Sequence, residues 1–451
     1  MTTIDISHIA RIEGHGSVEV KLKDGKIEDI TLKTVEPARF FESFVGGRHF
    51  NDLALIVSRI CGICSPNHTI SGLMAVEDAL GLGVSKRTRM LRQLLVHGSF
   101  IQNHTTHLYL LAAPDYLNAP SVLPLKESNP AVLERALALK KLGNDLCTAV
   151  GGRPVHPVNA VVGGFTDEPD SMTLQILAAR LRAALKDALQ TVDLFAKMDI
   201  PDFQPEREKL ALHTVSGAAN GYAILSDSSS TEVVRASSLT TASKTPKEGK
   251  SVKDYHDFIK EQTHPEAGNA KFSYVEDASG NSVPFMVGAL ARITINWDNL
   301  MPAAAGAIEA VAKSTGFKRG ESNPHFNNLC QAIEIADALQ RCAVLCDKLA
   351  ASYPKQQGQI KPPKHIDLQQ GTGFSASEAP RGTLYYSIGL NEQGYVTSGD
   401  VITPTAQNLA SIEADLQLLA PQLEGLAQEE LMLRIKQLIR AYDPCLSCAV
   451  H

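Results

Sequence analysis

From Gly16 to Val35 the chain alternates apolar and polar residues, "GSVEVKLKDGKIEDITLKTV", across a Lys-Asp-Gly-Lys turn. A period of two broken by Asp-Gly is the mark of a β-hairpin, so the first 35 residues are expected to be β-rich. Beyond them the period becomes helical. "SKRTRMLRQLLVHGSFIQNHTTHLYLLAAP" (85–114) opens with a Ser cap and is expected to stop at Pro114. "PAVLERALALKKLGNDLCTAVGG" (130–152) closes on a Gly pair, and "SMTLQILAARLRAALKDALQTVDLFAKM" (171–198) is strongly amphipathic. A long apolar-striped helix is predicted over 323–352, and two more over 405–423 and 427–444. Two polar tracts interrupt the series. The first, 226–251, is read as a surface excursion, partly strand, within roughly 220–300; the second, 355–382, ends on "EAPRG". No internal repeat and no clean break divides the chain. The expectation is one domain over 1–451, mainly α with small β additions (α+β): a long-helix bundle core with an N-terminal β-hairpin region.

Composition narrows the function classes. The formal charge of −6 supplies no basic field for nucleic acid, and aromatic residues at 6% leave little for base stacking. The N-terminus, "MTTIDISHIARIEGHGS", is not a signal peptide, and no apolar run approaches the roughly 20 residues of a membrane span. A cytoplasmic location is expected.

Eight cysteines are too few for a disulfide scaffold of this length. Cys147, Cys330, Cys342 and Cys346 sit in apolar helical settings and read as buried core residues. The other four form two C-x-x-C pairs, in "RICGICSPNH" (Arg59–His68) and "DPCLSCAVH" (Asp443–His451). Zinc ribbons keep their pairs roughly 15–20 residues apart; these lie at opposite ends of the chain. A thioredoxin-like dithiol would follow a strand, whereas "NDLALIVS" before Arg59 looks helical. One shared four-thiolate metal site is favoured, with two independent small sites or chance spacing as the alternatives. Soft thiolates suit nickel and iron.

The two Cys pairs resemble the paired signatures of the large, catalytic subunit of nickel–iron hydrogenases. "RIEGH" (Arg11–His15), "EPARFFESFVGGR" before the first pair, and "APRG" (Ala379–Gly382) and "TPTAQN" (Thr403–Asn408) before the second support the resemblance in order. "HFNNLCQAIEIADAL", "GALARITIN" and the Ser in "DPCLSC" are most similar to the cytoplasmic, bidirectional, cofactor-coupled branch. The resemblance implies reversible heterolytic cleavage of dihydrogen at a buried Ni-Fe site. Cys61 and Cys445 would be terminal nickel ligands, and Cys64 and Cys448 would bridge to an iron carrying one carbon monoxide and two cyanides. Arg381, between Pro380 and Gly382, would donate to a cyanide and Thr405 to the second, and the base over the open position would be a terminal thiolate or the Arg381 guanidinium. Glu13 would be the first proton relay, accepting from the Cys445 thiolate. Asp443 would hold Arg381, and His15 and His68 are candidate donors to sulfur. Glu42, the Val401 carbonyl and His451 would hold a magnesium ion, or iron, near the C-terminus.

One position departs from the respiratory branch: Asn103 stands where that branch has an Asp near the active-site Arg, so the carboxylate cage around Arg381 has one member fewer. The chain ends at the His after which family precursors are cut, so it reads as the form left by a maturation protease. It carries no cysteine run for an iron–sulfur chain. An iron–sulfur small subunit is therefore the expected partner, with a flavin, nicotinamide or deazaflavin acceptor module beyond it. The alternatives are a related electron-transfer subunit that has lost nickel, as in the respiratory NADH dehydrogenase, and a structural zinc scaffold.

Overall fold

The computed structural model describes residues 2–24, 26–214, 224–226, 231–236, 249–356 and 358–451. Strands β1 (Thr2–Ile6), β2 (Gly16–Lys23) and β3 (Lys26–Thr34) form an antiparallel sheet, in line with the N-terminal alternation. The helices that matter for the site are α1 (Phe41–Val45), α2 (Phe50–Val57), α3 (Ser65–Ala79), α4 (Lys86–Thr106), α5 (Pro130–Gly151), α6 (Ser171–Ala183) and α7 (Leu185–Ala196). They are followed by α8 (Ala289–Asn296), α9 (Pro302–Thr315), α10 (Phe326–Gln356), α11 (Pro404–Leu423) and α12 (Gln428–Ala441). A last antiparallel sheet is built from β4 (Gly371–Ala379), β5 (Gly382–Leu390) and β6 (Val396–Ile402). The architecture is α+β, with α10 at the centre of the bundle, packed against α4, α6, α7, α8 and α9.

Local signals behave as the chain predicts in most places. Ser85 caps α4 by accepting from Thr88 N, and Gly152 ends α5 in the left-handed conformation that glycine adopts without cost. Three expectations need correction. The helix from Ser85 does not stop at Pro114: a π-helical segment, His107–Ala112, widens the turn, and Pro114 then begins a short helix, Ala113–Tyr116, where its missing N–H is not needed. The predicted helix over 171–198 is broken at Ala184 into α6 and α7. Of the supposed surface excursion, residues 220–223, 227–230 and 237–248 lie outside the described residues. The rest holds a second apolar cluster that includes Val233, Tyr255, Phe258 and Phe285, and every residue of α8 is buried.

The polar tract before Arg381 is also more buried than its composition suggests. From Ser375 to Leu384 the chain is inside the protein, and its serines are satisfied there. Ser375 Oγ donates to Ser71 O at 2.7 Å, and Ser377 Oγ pairs with Ser71 Oγ at 2.8 Å, fastening β4 along α3. Gly373 makes that contact possible, since a Cβ there would fall 2.0 Å from Ala75 O.

The β4–β5 turn, which carries Pro380 and Arg381, is held from below by Arg292 on α8. Its guanidinium donates to Ala379 O at 2.9 Å and Pro380 O at 2.8 Å, and pairs with Glu334 on α10 and Glu378 on β4. All three side chains are essentially without solvent exposure. Replacing Arg292 with Met should therefore cost about 3–5 kcal/mol, the range for removing one partner from a buried ion pair. The measurement is a urea unfolding midpoint, which should fall; an unchanged midpoint would show that the network does not hold the turn.

Candidate metal centre

Cys61 follows a single helical turn, Ser58–Ile60, and Cys64 occupies the N-cap of α3, with Pro66 in the first turn. The approach is fixed by Arg39, whose guanidinium donates to Ile60 O at 2.7 Å and Arg59 O at 2.8 Å. The backbone of Arg39 donates to Val450 O at 2.8 Å, so one residue fastens the first Cys segment to the last residues of the chain. Arg39 lies within a quoted motif, but its role is visible only in space.

The second pair follows α12. Asp443 turns the chain with a φ of 51°, and Cys445 N donates to Thr405 Oγ1 at 2.9 Å, leaving the hydroxyl proton of Thr405 free to donate elsewhere. Leu446 N donates to Glu13 O at 3.0 Å. The two segments touch so closely at this point that a Cβ on Gly14, whose φ is +83°, would lie 2.9 Å from Ser447 N.

These contacts bring four buried sulfurs together. Cys61 Sγ lies 3.6 Å from Cys445 Sγ, Cys64 Sγ 3.8 Å from Cys448 Sγ, and Cys445 Sγ 2.9 Å from Cys448 Sγ. All four lie within 4.8 Å of one another and form the one such metal-capable group among the described residues. Their electrostatics fit a cation. Hydrogen bonds from Cys445, Cys448 and Cys64, with the Arg381 guanidinium, hold the Cys61 thiol well below its ordinary range. Burial pushes Cys445 and Cys448 well above theirs. Four thiolates confined this closely repel one another unless metal charge is placed between them.

Arg381 is buried, and its Nη1 has no hydrogen-bond partner. Burial works against its charge, but Asp443 and the sulfurs of Cys445, Cys64 and Cys61 keep it protonated. Nε donates to Asp443 O at 2.7 Å, and Nη2 lies 3.0 Å from Asp443 Oδ1. A buried guanidinium clamped on one side, with an unpaired donor on the other, fits a centre that presents a hydrogen-bond acceptor.

Glu13 is on the far side of the second pair. Its Oε1 accepts from Ser447 Oγ at 2.5 Å, and that oxygen is 3.8 Å from Cys445 Sγ, so a serine hydroxyl stands between the carboxylate and the sulfur. His68 Nε2 is 3.8 Å from Cys448 Sγ and its Nδ1 2.7 Å from Tyr386 Oη; burial pushes its pKa down to about 4. Tyr386, which orients this ring, had no sequence signal. His15 is not at the centre: it is exposed and pairs with Glu36. Asn103 Nδ2 donates to Ile63 O at 3.1 Å, inside the first Cys loop, and its Oδ1 has no partner.

The C-terminal group also converges. His451 Nε2 is 2.5 Å from Val401 O and 3.6 Å from Glu42 Oε1. Lys271 lies 3.0 Å from Glu42 and 3.1 Å from Glu261, two charged residues that sequence reasoning did not place there.

The family described as nickel-dependent hydrogenase matches residues 39–138 and 218–451, and one described as HoxL-like matches 3–36. The chain is 35% identical to sulfhydrogenase 1 subunit alpha of Pyrococcus furiosus, over 99% of this chain and 97% of that protein. It is 30% identical to the NAD-reducing hydrogenase HoxS subunit beta of Cupriavidus necator, over 99% and 94%. The crystal structure of an NAD+-reducing [NiFe]-hydrogenase in its H2-reduced state superposes with a TM-score of 0.84 at 25% identity, covering 100% of both chains. Both Cys pairs are intact, unlike in a relative that has lost nickel, and the chain belongs to the nickel-dependent hydrogenase family, as the large catalytic subunit of a nickel–iron hydrogenase.

Proposed function

We propose that this subunit catalyses the reversible heterolytic cleavage of dihydrogen, with Cys61 and Cys445 as terminal ligands of nickel and Cys64 and Cys448 bridging to iron. The observation that carries the reading is the group of four buried sulfurs whose charge acts on Arg381, a guanidinium with an unpaired Nη1. When bound, the Ni-Fe centre supplies the open coordination position and the redox-active metals for splitting dihydrogen into protons and electrons.

The protein supplies the remainder. Arg381 Nη1, flanked by Pro380 and Gly382, and the hydroxyl proton of Thr405 would be donors for the two cyanides of an iron that also carries carbon monoxide. Arg381, kept protonated and fixed in orientation by Asp443, cannot itself take a proton, so the base is the terminal thiolate of Cys445. Cys445 Sγ accepts a proton, Ser447 Oγ passes it on, and Glu13 carries it outward. Glu42, Val401 O and His451 hold a magnesium or iron ion, with Lys271 and Glu261 around it.

The relatives are subunits of larger hydrogenases by name, which implies a small-subunit partner. We assign that partner the iron–sulfur clusters and, beyond it, a soluble nicotinamide, flavin or deazaflavin acceptor, as the name of the NAD-reducing relative suggests. A maturation protease acting on a longer precursor, a cytoplasmic location and a single-domain chain belong to the same reading. One apolar cluster that runs from Ile6 to Val450 supports the single domain, and no described helix is long and apolar enough to cross a membrane.

Metal analysis of the purified complex should give nickel in this subunit with iron beyond that of the clusters, and infrared bands from metal-bound carbon monoxide and cyanide; zinc alone would overturn the assignment. Glu13→Gln should retain the metals and lose most hydrogen–deuterium exchange, and Ser447→Ala should slow it about tenfold or more. Exchange at the parent rate in both variants would remove this proton route. Arg381→Lys should assemble but turn over at least about a hundredfold more slowly, because an ammonium cannot hold the same planar fork. A kcat equal to the parent's would end the role of its planar donor fork.

A further inference from the structure

The hydrogen bonds behind Asp443 fix a protonation state that no motif announces. Asp443 Oδ1 is 3.1 Å from Arg381 Nε and 3.0 Å from Nη2, the environment of an ionised carboxylate. Its Oδ2 lies 3.0 Å from Gln331 Nε2, on α10. A carboxylate only accepts, so this end of the Gln331 side chain is the NH2 group and the other end is the carbonyl. That carbonyl oxygen is 2.6 Å from His107 Nδ1, and an amide oxygen also only accepts, so Nδ1 carries a proton. His107 Nε2 is 2.8 Å from the backbone oxygen of Arg440, another pure acceptor, so Nε2 carries a proton too. Both ring nitrogens donate. Turning the amide over avoids this only by setting its oxygen 3.0 Å from Asp443 Oδ2, two acceptors with no proton between them.

We propose that His107 is a buried imidazolium and a positioning residue for Arg381: its two N–H groups lock the Gln331 amide in the orientation that lets Asp443 clamp the guanidinium. The inference rests on Arg381 overlying the metal centre. His107 opens the π-helical segment, so the widened turn is what aims its ring at α10 and at the end of α12. The charged groups around it agree. Asp443 Oδ1, 3.9 Å from Nε2, balances the charge. The Arg440 side chain is turned away to Asp115 and Ala10 O. Glu334, on α10, is engaged by Arg292 and by His104 of α4. With Asn rather than Asp at position 103, the hold on Arg381 falls to Asp443, and the groups behind Asp443 set how firmly it holds.

If the His107 ring does not hold the amide, Gln331 is free to turn and Arg381 loosens. Neutron diffraction from deuterium-exchanged crystals of the holoenzyme at neutral pD should show deuterons on both His107 nitrogens and the Gln331 ND2 group facing Asp443. A single deuteron on the ring would overturn the proposal. In solution, His107→Gln and Gln331→Met should keep the parent's nickel content and lower kcat about tenfold. Both variants should leave the KM for the electron acceptor at the parent's value, so that the loss is confined to kcat. If both variants load nickel and keep the parent's kcat, the positioning role is wrong. A normal nickel content with a fully active Arg381→Lys variant would instead fault the reading of Arg381, so the two failures are separable.

Discussion

The centre depends on holding the last residues of the chain against its N-terminal segments. The main-chain bonds from Leu446 to Glu13 and from Arg39 to Val450 do this, with the Arg39 guanidinium reaching across to the carbonyls of Arg59 and Ile60. None of these bonds involves a sulfur. They set the spacing of Cys61, Cys64, Cys445 and Cys448 before any metal chemistry is considered. The fold around them has one task at this level: to place two loops, each a few residues long, within hydrogen-bonding reach.

A second set of interactions aims Arg381. The guanidinium of Arg292 holds the turn that carries it, and Asp443 holds its side chain. Both anchor points lead back to α10, through Glu334 in one case and Gln331 in the other, three residues apart on the same helix. The central helix of the bundle is therefore a common footing for the arginine and for the loop bearing the second cysteine pair. This explains why so many polar residues of α10, among them Asn327, Asn328, Gln331 and Glu334, are buried in an otherwise apolar segment.

Much of this was legible in the chain. Helix starts marked by side-chain caps and the N-terminal alternation depend on neighbours in sequence, and the structure places them close to where they were expected. The four cysteines were legible because C-x-x-C is a local pattern. The failures share a physical cause. Ser375, Ser377 and Glu378 look like loop residues until Ser71 and Arg292 approach them from distant segments. His15 lies in the right motif but is exposed and paired with Glu36, whereas Arg39, Tyr386 and Gln331 act through partners far away in sequence. Burial satisfied by a remote partner leaves no local trace.

The separation of 384 residues between Cys61 and Cys445 also has a consequence in time. A ribosome adding about 5–20 residues per second takes on the order of tens of seconds to travel from one pair to the other. Throughout that interval the first pair is a dithiol without its complement, able to bind stray zinc or to oxidise. Selective loading of this centre is thus a matter of scheduling as well as affinity, since the correct ligand set exists only once the second pair has been made.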